Sequence, residues 1–192
     1  MTAWVSVRAA SLGAAVLLAC CAAPPLVLYN LDAPGAGPGA TMLARLALVI
    51  EVVRVSLPDD LDTQDIQVRR GSVLKAIPQG RWASRLSVGA THLLTSLLSR
   101  HRPDVLFADQ QQAGTPAYRI VVNINRLDVT ADGTALLEAD RQIIPGNPAI
   151  LVTRDRASLR ATGSAASDRG VVTLIGAVLG QLAGVINVAA LR

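Results

Sequence analysis

The sequence predicts an α/β fold, with a mixed, mostly antiparallel sheet of about five to seven strands and two main helices packed on it. Three observations support this prediction. Residues 66–69 and 119–143 alternate apolar and polar side chains, which is the period of half-buried strands. The dipeptide Asp132-Gly133 divides the longer segment, as in a β-hairpin. Two other segments, 82–100 and 171–189, repeat their apolar residues at helical spacing.

The first strands are predicted from short apolar segments. Residues 26–29 form a strand candidate, and residues 32–40 form a loop rich in Pro and Gly. Residues 43–57 are apolar and increasingly β-branched, and Pro58 ends the segment. Its imperfect alternation predicts a central strand covered on both faces, with a helix as the competing prediction for residues 43–50.

The middle of the chain predicts a hairpin followed by a helix. Residues 58–64 form a turn, and strands are predicted at 66–69 and 73–77. The helix covers residues 82–100, with Trp82 at its head, and its basic C-terminal end complements the helix dipole before Pro103. The apolar face of this helix consists of Leu86, Ala90, Leu93, Leu94, Leu97 and Leu98.

A meander of three strands is predicted after the first helix. A brief strand at 105–108 and a polar loop precede it. The first long strand, 119–129, changes phase near Asn125-Arg126, which predicts a β-bulge. The return strand covers 134–143, and a further turn leads to a strand within 150–159.

The last predicted helix begins at an N-cap on Ser167 or Asp168. Its apolar stripe consists of Val171, Ile175, Val178, Leu182, Val185 and Ala189. A second stripe, Gly176, Gly180 and Gly184, allows two interpretations: a helix pair in a membrane, or a domain helix whose glycine face lies close on the sheet. The sequence favours the domain helix, because Gln181 and Asn187 are poorly suited to the middle of a bilayer.

The composition limits the classes of function. The 192 residues suggest one domain, and the net charge of +4 is too small to require a nucleic-acid partner. Aromatic residues make up only 3% of the chain, so few rings are available to stack on bases. Cys20 and Cys21 are the only cysteines, and adjacent cysteines at one end cannot staple a fold.

The chain also lacks a recognisable catalytic or metal-binding pattern. Its acidic cluster consists of Asp59, Asp60, Asp62 and Asp65. Calcium is one interpretation of this cluster, but the glycine and terminal glutamate of an EF-hand loop are missing, so a solvated turn is preferred. His92 and His101 have no ligand at metal-binding spacing and are interpreted as structural. We therefore predict no enzymatic activity, catalytic residue, bound metal or dissociable cofactor.

The segment Leu17-Leu18-Ala19-Cys20 ends a short apolar run and resembles a bacterial lipoprotein signal, which is cut before the cysteine. The resemblance implies a covalent lipid on Cys20 and no other cofactor. An ordinary signal peptide or an uncleaved anchor are the alternatives. The corresponding organisation is a signal peptide at 1–19, a lipidated tether at 20–40 and a domain at 41–192. Removal of 19 residues leaves 173, which is enough to bury a core.

Several segments, taken in order, resemble the ABC-type transport auxiliary lipoproteins, also called PqiC-like. The matching segments are Tyr29-x-Leu31-x-x-Pro34, Val52-x-x-Val55-x-Leu57-Pro58-x-x-Leu61-Asp62, Ile66-x-Val68-Arg69, Trp82-Ala83-x-x-Leu86 and the hairpin over 119–143. The resemblance implies the same α/β fold. It also carries over Tyr29, Pro58, Leu61 and Trp82 as structural anchors.

The resemblance further implies a non-enzymatic periplasmic lipoprotein that assists an MCE-type ABC system in moving lipid between two membranes. The implied partners are an MCE-domain protein, its ABC permease and ATPase, and further copies in a homo-oligomeric ring. Cys21, which is not an aspartate, follows the lipidated position and implies anchoring at the outer membrane. The alternative is a lipoprotein that serves the structure or assembly of another envelope machine.

Overall fold

The computed structural model describes residues 25–31, 48–110, 115–189 and 191, and these residues contain eight strands and two helices. The strands are β1 Val27–Tyr29, β2 Val49–Val52, β3 Asp65–Arg70, β4 Val73–Trp82, β5 Leu106–Ala108, β6 Tyr118–Val129, β7 Thr134–Pro145 and β8 Thr153–Thr162. The helices are α1 Leu86–His101, between β4 and β5, and α2 Asp168–Val185, after β8.

The strands form two sheets. The smaller has the order β1-β4-β3, and the larger has the order β5-β2-β6-β7-β8. In the larger sheet β2 is parallel to β5 and β6, whereas β6, β7 and β8 form an antiparallel meander. In the smaller sheet β1 is parallel to β4, and β3 is antiparallel to β4. The α/β prediction with two helices is therefore confirmed, with the strands divided between two sheets.

Both helices pack on one face of the larger sheet, and the core lies between them and that face. Ile120, Leu137 and Ala139 of the sheet are completely buried there, as are Leu94 of α1 and Leu179 of α2. The opposite face of the larger sheet is polar. It carries ion pairs such as Glu51 with Arg119.

The two sheets are joined by a bridge between Arg69 and Thr130 and by the carboxylate of Asp128. Asp128 is 3% exposed and lies on β6. One of its oxygens accepts from Arg69 Nε of β3, and the other accepts from Arg126 Nε, each at 2.6 Å. A buried carboxylate is tolerated here because two guanidinium groups neutralise it.

Most of the local predictions are confirmed. The chain turns at Gly71 and Gly133, which have positive φ angles of 62° and 85°. The pairing of β6 with β7 shifts register between Ile124 and Arg126, where the bulge was predicted. Ser167 is the N-cap of α2, and its side chain accepts a hydrogen bond from Gly170 N.

The predicted strand over residues 43–57 is shorter than expected. Residues 43–47 lie outside the described part of the chain, and β2 ends at Val52. The backbone stays beside β6 after Val52, since Val53 N donates to Ile120 O at 2.9 Å and Ser56 N donates to Val122 O at 3.1 Å. The regular strand is interrupted between them, because Val55 N donates to the hydroxyl of Thr91 on α1, at 2.9 Å. The expectation of burial on both faces is also wrong, since Glu51 is partly exposed on the outer face of the sheet.

The predicted start of the first helix is wrong by four residues. Trp82 belongs to β4, where it pairs with Tyr29 and donates its backbone N–H to Gln64 O at 2.7 Å. The helix begins at Leu86, and Asp62 accepts from Ser87 N at 2.9 Å. Trp82 is nevertheless 3% exposed and part of the core.

Candidate functional site

An apolar groove lies between the two helices, on the surface of the described residues. It has a volume of about 480 Å³, within the range of about 300–1,000 Å³ that is typical of small-molecule sites. We define the interhelical groove by six of its lining residues, Leu31, Leu93, Leu97, Val172, Gly176 and Gly180. Its walls are almost entirely aliphatic.

One wall of the groove comes from α1 and from the chain after β1. Leu93 is buried and Leu97 is half-buried on α1, one helical turn apart. Leu31 follows β1 and is 8% exposed. The side chain of Leu31 lies against Gly89 of α1, since a Cβ added to Gly89 would lie 3.5 Å from Leu31 Cδ1. The segment after β1 therefore closes one end of the groove.

The other wall is α2, which carries its apolar residues on two faces. Val171, Leu174, Val178 and Leu182 are buried against the sheet side of the helix. Gly176 and Gly180 lie on a different face, which lines the groove. A Cβ added at Gly176, Gly180 or Gly184 would meet no heavy atom of the described residues within 4 Å. The expected packing of the glycine face on the sheet is therefore wrong.

Polar residues lie near both ends of the groove. Asn30 and Thr173 lie at the end near Leu31. Arg169 is exposed one turn before Thr173, on the same face of α2, and Thr173 Oγ1 donates to its carbonyl oxygen at 2.8 Å. At the other end, Arg102 after α1 donates to Val188 O at 2.9 Å, which brings the C-terminal ends of the two helices together.

α2 is the one helix among the described residues whose length and composition would suit a membrane span, with a mean hydropathy of 1.2. Seven of its apolar residues are nevertheless buried in the domain, and Gln181 Nε2 donates to Arg160 O at 3.1 Å. This burial agrees with the prediction of a domain helix. Val185 departs from the predicted stripe, since it is 37% exposed.

The four aspartates that suggested calcium do not converge. Asp62 caps α1, and Asp65 pairs with Arg81 at 2.9 Å. Within the described residues no group of three or more His, Cys, Asp or Glu side chains could hold a metal ion. His92 instead lies 2.6 Å from Asp109, from Nδ1 to Oδ2, on the exposed side of α1. His101 is exposed at the end of α1.

Asp62 has the clearest electrostatic role among these groups. Partial burial by itself raises the pKa of its carboxyl. Hydrogen bonds from Ser87 and the positive charges of Arg85 and Arg54 outweigh that effect, so the pKa lies below its ordinary value of 3.8. Arg54 also donates to Ser87 Oγ at 2.8 Å. The cluster therefore fixes the start of α1 and offers no empty ligand site.

The structural anchors are distributed around the joint of β1, β4 and α1. Tyr29 and Leu61 are half-buried against the core, and Trp82 lies within it. Pro58 accepts backbone hydrogen bonds from Leu61 and Asp62 and so closes the turn. Cys20 and the lipoprotein signal lie outside the described residues.

Sequence reasoning found the glycine stripe but not the groove that it lines. The missed residues are Asn30, Leu31, Leu93, Leu97, Val172 and Thr173. A helical projection would have separated the two faces of α2. Gly176 and Gly180 come directly after the buried residues Ile175 and Leu179, and consecutive residues of a helix are rotated by about 100° from each other. The meeting of α1, α2 and Leu31 has no local pattern in the sequence.

Comparison with known proteins agrees with this fold. A family model described as ABC-type transport auxiliary lipoprotein component matches residues 29–187. A crystal structure of an uncharacterised protein is similar, with a TM-score of 0.67 and 15% identity over 84% of this chain and 95% of that chain. No curated protein sequence matches.

A second crystal structure is of a Xanthomonas campestris protein assigned to the domain family DUF330. Its TM-score is 0.57, with 12% identity over 83% of this chain and 89% of that chain. At these identities the two structures share the fold with this chain.

Proposed function

The chain belongs to the family of ABC-type transport auxiliary lipoprotein components, and on that basis we propose that it assists an MCE-type ABC system in moving lipid between two membranes. In this role it is a non-enzymatic subunit that a covalent lipid on Cys20 holds at the periplasmic face of the outer membrane. The single observation that carries the proposal is the family match, because it covers 159 consecutive positions, from residue 29 to residue 187.

The described surface is compatible with a subunit that binds and positions other molecules. The outer face of the larger sheet offers paired charges, including Arg156 with Asp140 at 2.6 Å. The helix side offers the interhelical groove. An auxiliary component needs surfaces of these kinds for a transporter protein, and the partners that we propose are an MCE-domain protein with its permease and ATPase, and further copies of this chain in a ring.

The partner is tested by binding. The full-length lipoprotein is immobilised, and the periplasmic part of the MCE protein encoded beside it is passed over at concentrations up to micromolar. Saturable binding supports the proposal. The absence of binding at micromolar concentration contradicts it and favours a lipoprotein that serves the assembly of another envelope machine.

The anchor is tested by labelling cells with a palmitate analogue. Wild type and Cys21→Ser should be labelled, whereas Cys20→Ser should lose the label, because the lipid is placed on the first cysteine after the signal. Separation of inner from outer membranes then gives the location. Label that persists in Cys20→Ser would contradict the assignment of Cys20.

A further inference from the structure

We propose that the interhelical groove binds one acyl chain of a membrane phospholipid, with the headgroup at the end formed by Asn30, Arg169 and Thr173. This inference rests on the proposed function, because it takes from that function the anchoring of Cys20 in a membrane. It names a ligand site and a ligand class for the domain itself.

The shape and chemistry of the groove suit an unbranched hydrocarbon chain. From Val172 to Gly180 it follows α2 for eight residues, which is about 12 Å of helix. Leu31, Leu93 and Leu97 provide aliphatic walls, whereas Gly176 and Gly180 provide no side chain. A polar ligand would find few hydrogen-bonding partners along these walls, so the hydrophobic effect is the available driving force.

The charges of the groove are arranged for a lipid that enters from one end. Arg169 lies on the groove face of α2, one turn before Thr173, close to the positive end of the helix dipole. The side chain of the neighbouring acid, Asp168, points toward Gly80 of β4, where a Cβ added to that glycine would lie 2.8 Å from Asp168 Oδ2. Helical spacing therefore places a cation on the face of α2 that lines the groove, one turn before Thr173, where it is available to a phosphate.

Chain length keeps the groove near the membrane. Leu31 lies 11 residues after Cys20, so the two are at most about 40 Å apart even when the chain is fully extended. We assign the occupant to a free phospholipid and not to the protein's own lipid. Withdrawal of one of its own chains from the bilayer would weaken an anchor that depends on having more than one chain.

The test uses the full-length lipoprotein reconstituted in vesicles of phosphatidylethanolamine and phosphatidylglycerol. The vesicles also contain a phosphatidylcholine that carries a diazirine on one acyl chain. After irradiation, adducts are located by peptide mass spectrometry. We expect adducts on the segments of α1 and α2 that contain Leu93, Leu97 and Gly176.

Three variants make the test specific. Gly176→Leu and Gly180→Leu fill the groove from α2, whereas Gly184→Leu adds the same side chain one turn beyond the groove residues. Adducts on the helices should fall by about tenfold or more in the first two variants, which corresponds to a loss of about 1.4 kcal/mol of binding, and should persist in Gly184→Leu. Thermal melting of each variant verifies that it folds.

Several outcomes would overturn the proposal. Adducts that are equal in all variants, or confined to the exposed residues Leu26 and Leu28, indicate contact with the membrane surface instead. Absence of adducts in the wild type, together with a dimer in solution that Gly176→Leu dissociates, indicates a second copy as the occupant. Absence of adducts throughout, with normal binding to the MCE protein, overturns the groove assignment and leaves the proposed function intact. If the wild-type protein does not bind the MCE protein, it is the proposed function that is contradicted.

Discussion

The glycines that line the groove provide the sharpest prediction, because replacing them by alanine should stabilise the protein. A Cβ added at Gly176 or Gly180 meets no heavy atom within 4 Å in the part of the chain that the structure describes, so neither substitution requires a described neighbour to move. Both positions lie inside α2, where alanine is favoured over glycine by about 0.5–1 kcal/mol because it restricts the unfolded chain.

The double variant Gly176→Ala/Gly180→Ala should therefore gain about 1–2 kcal/mol in free energy of unfolding. For a chain of 192 residues, this gain corresponds to a rise of about 2–8 °C in Tm. The assay is thermal unfolding followed by circular dichroism at 222 nm, a wavelength that reports helix content, with urea unfolding as an independent measure.

Gly170→Ala is the matched control on the same helix. Its added Cβ would lie 2.1 Å from the carbonyl oxygen of Ser164, so the backbone must shift and about 1–3 kcal/mol should be lost. A loss of stability in the double variant comparable to that of Gly170→Ala would refute the reasoning, because it would mean that the glycine face is covered by another element.

Three further predictions concern the core and its charges. Trp82→Ala should lower the free energy of unfolding, measured in urea, by about 3–5 kcal/mol. Val73→Ala is the control on the same strand, and because Val73 is 60% exposed it should change that free energy by less than about 0.5 kcal/mol. A near-unchanged unfolding curve for Trp82→Ala would place that ring at the surface. Asp128→Asn should lower the free energy of unfolding by about 1.5–3 kcal/mol, because it removes a buried charge that two arginines contact. Asp140→Asn, at an exposed pair, should lower it much less, and equal effects of the two substitutions would contradict the distinction. Because the pKa of Asp62 is lowered in the folded state, its carboxylate contributes to the free energy of unfolding above its ordinary pKa of 3.8, and this contribution is lost as the pH falls through the folded-state pKa. Asp62→Asn should therefore make the urea midpoint less dependent on pH between about pH 5 and pH 2. An unchanged pH dependence would exclude that contribution.

The parts of the fold that depend on near neighbours could be predicted from the sequence. The hairpin of β6 and β7 follows from Asp132-Gly133 and from alternation on both sides, and the change of phase near Asn125 located the bulge. The cap at Ser167 is similarly local. In each case the residues that determine the structure lie within a few positions of one another.

The features that the sequence did not predict depend on distant residues. The regular pairing beyond β2 is interrupted at Val55, because its backbone N–H bonds to Thr91, which is 36 residues away on α1. Trp82 stays in a strand because Tyr29 and Gln64 pair with its backbone, and this prevents α1 from starting there. The groove similarly needs Leu31, α1 and α2 to meet, and no window of the sequence contains all three.

The glycines of α2 connect the stability of the helix to the groove. A helix that only had to cover the sheet would be more stable with alanine at Gly176 and Gly180, since none of the described residues occupies that space. Natural proteins are seldom at their stability optimum, so a gain in Tm with alanine does not by itself assign a role to these glycines. A gain in Tm with alanine, together with a loss of lipid adducts with leucine, would mean that these positions keep volume free for a ligand. A gain in Tm with normal adducts in the leucine variants would mean that the glycines have no role in binding.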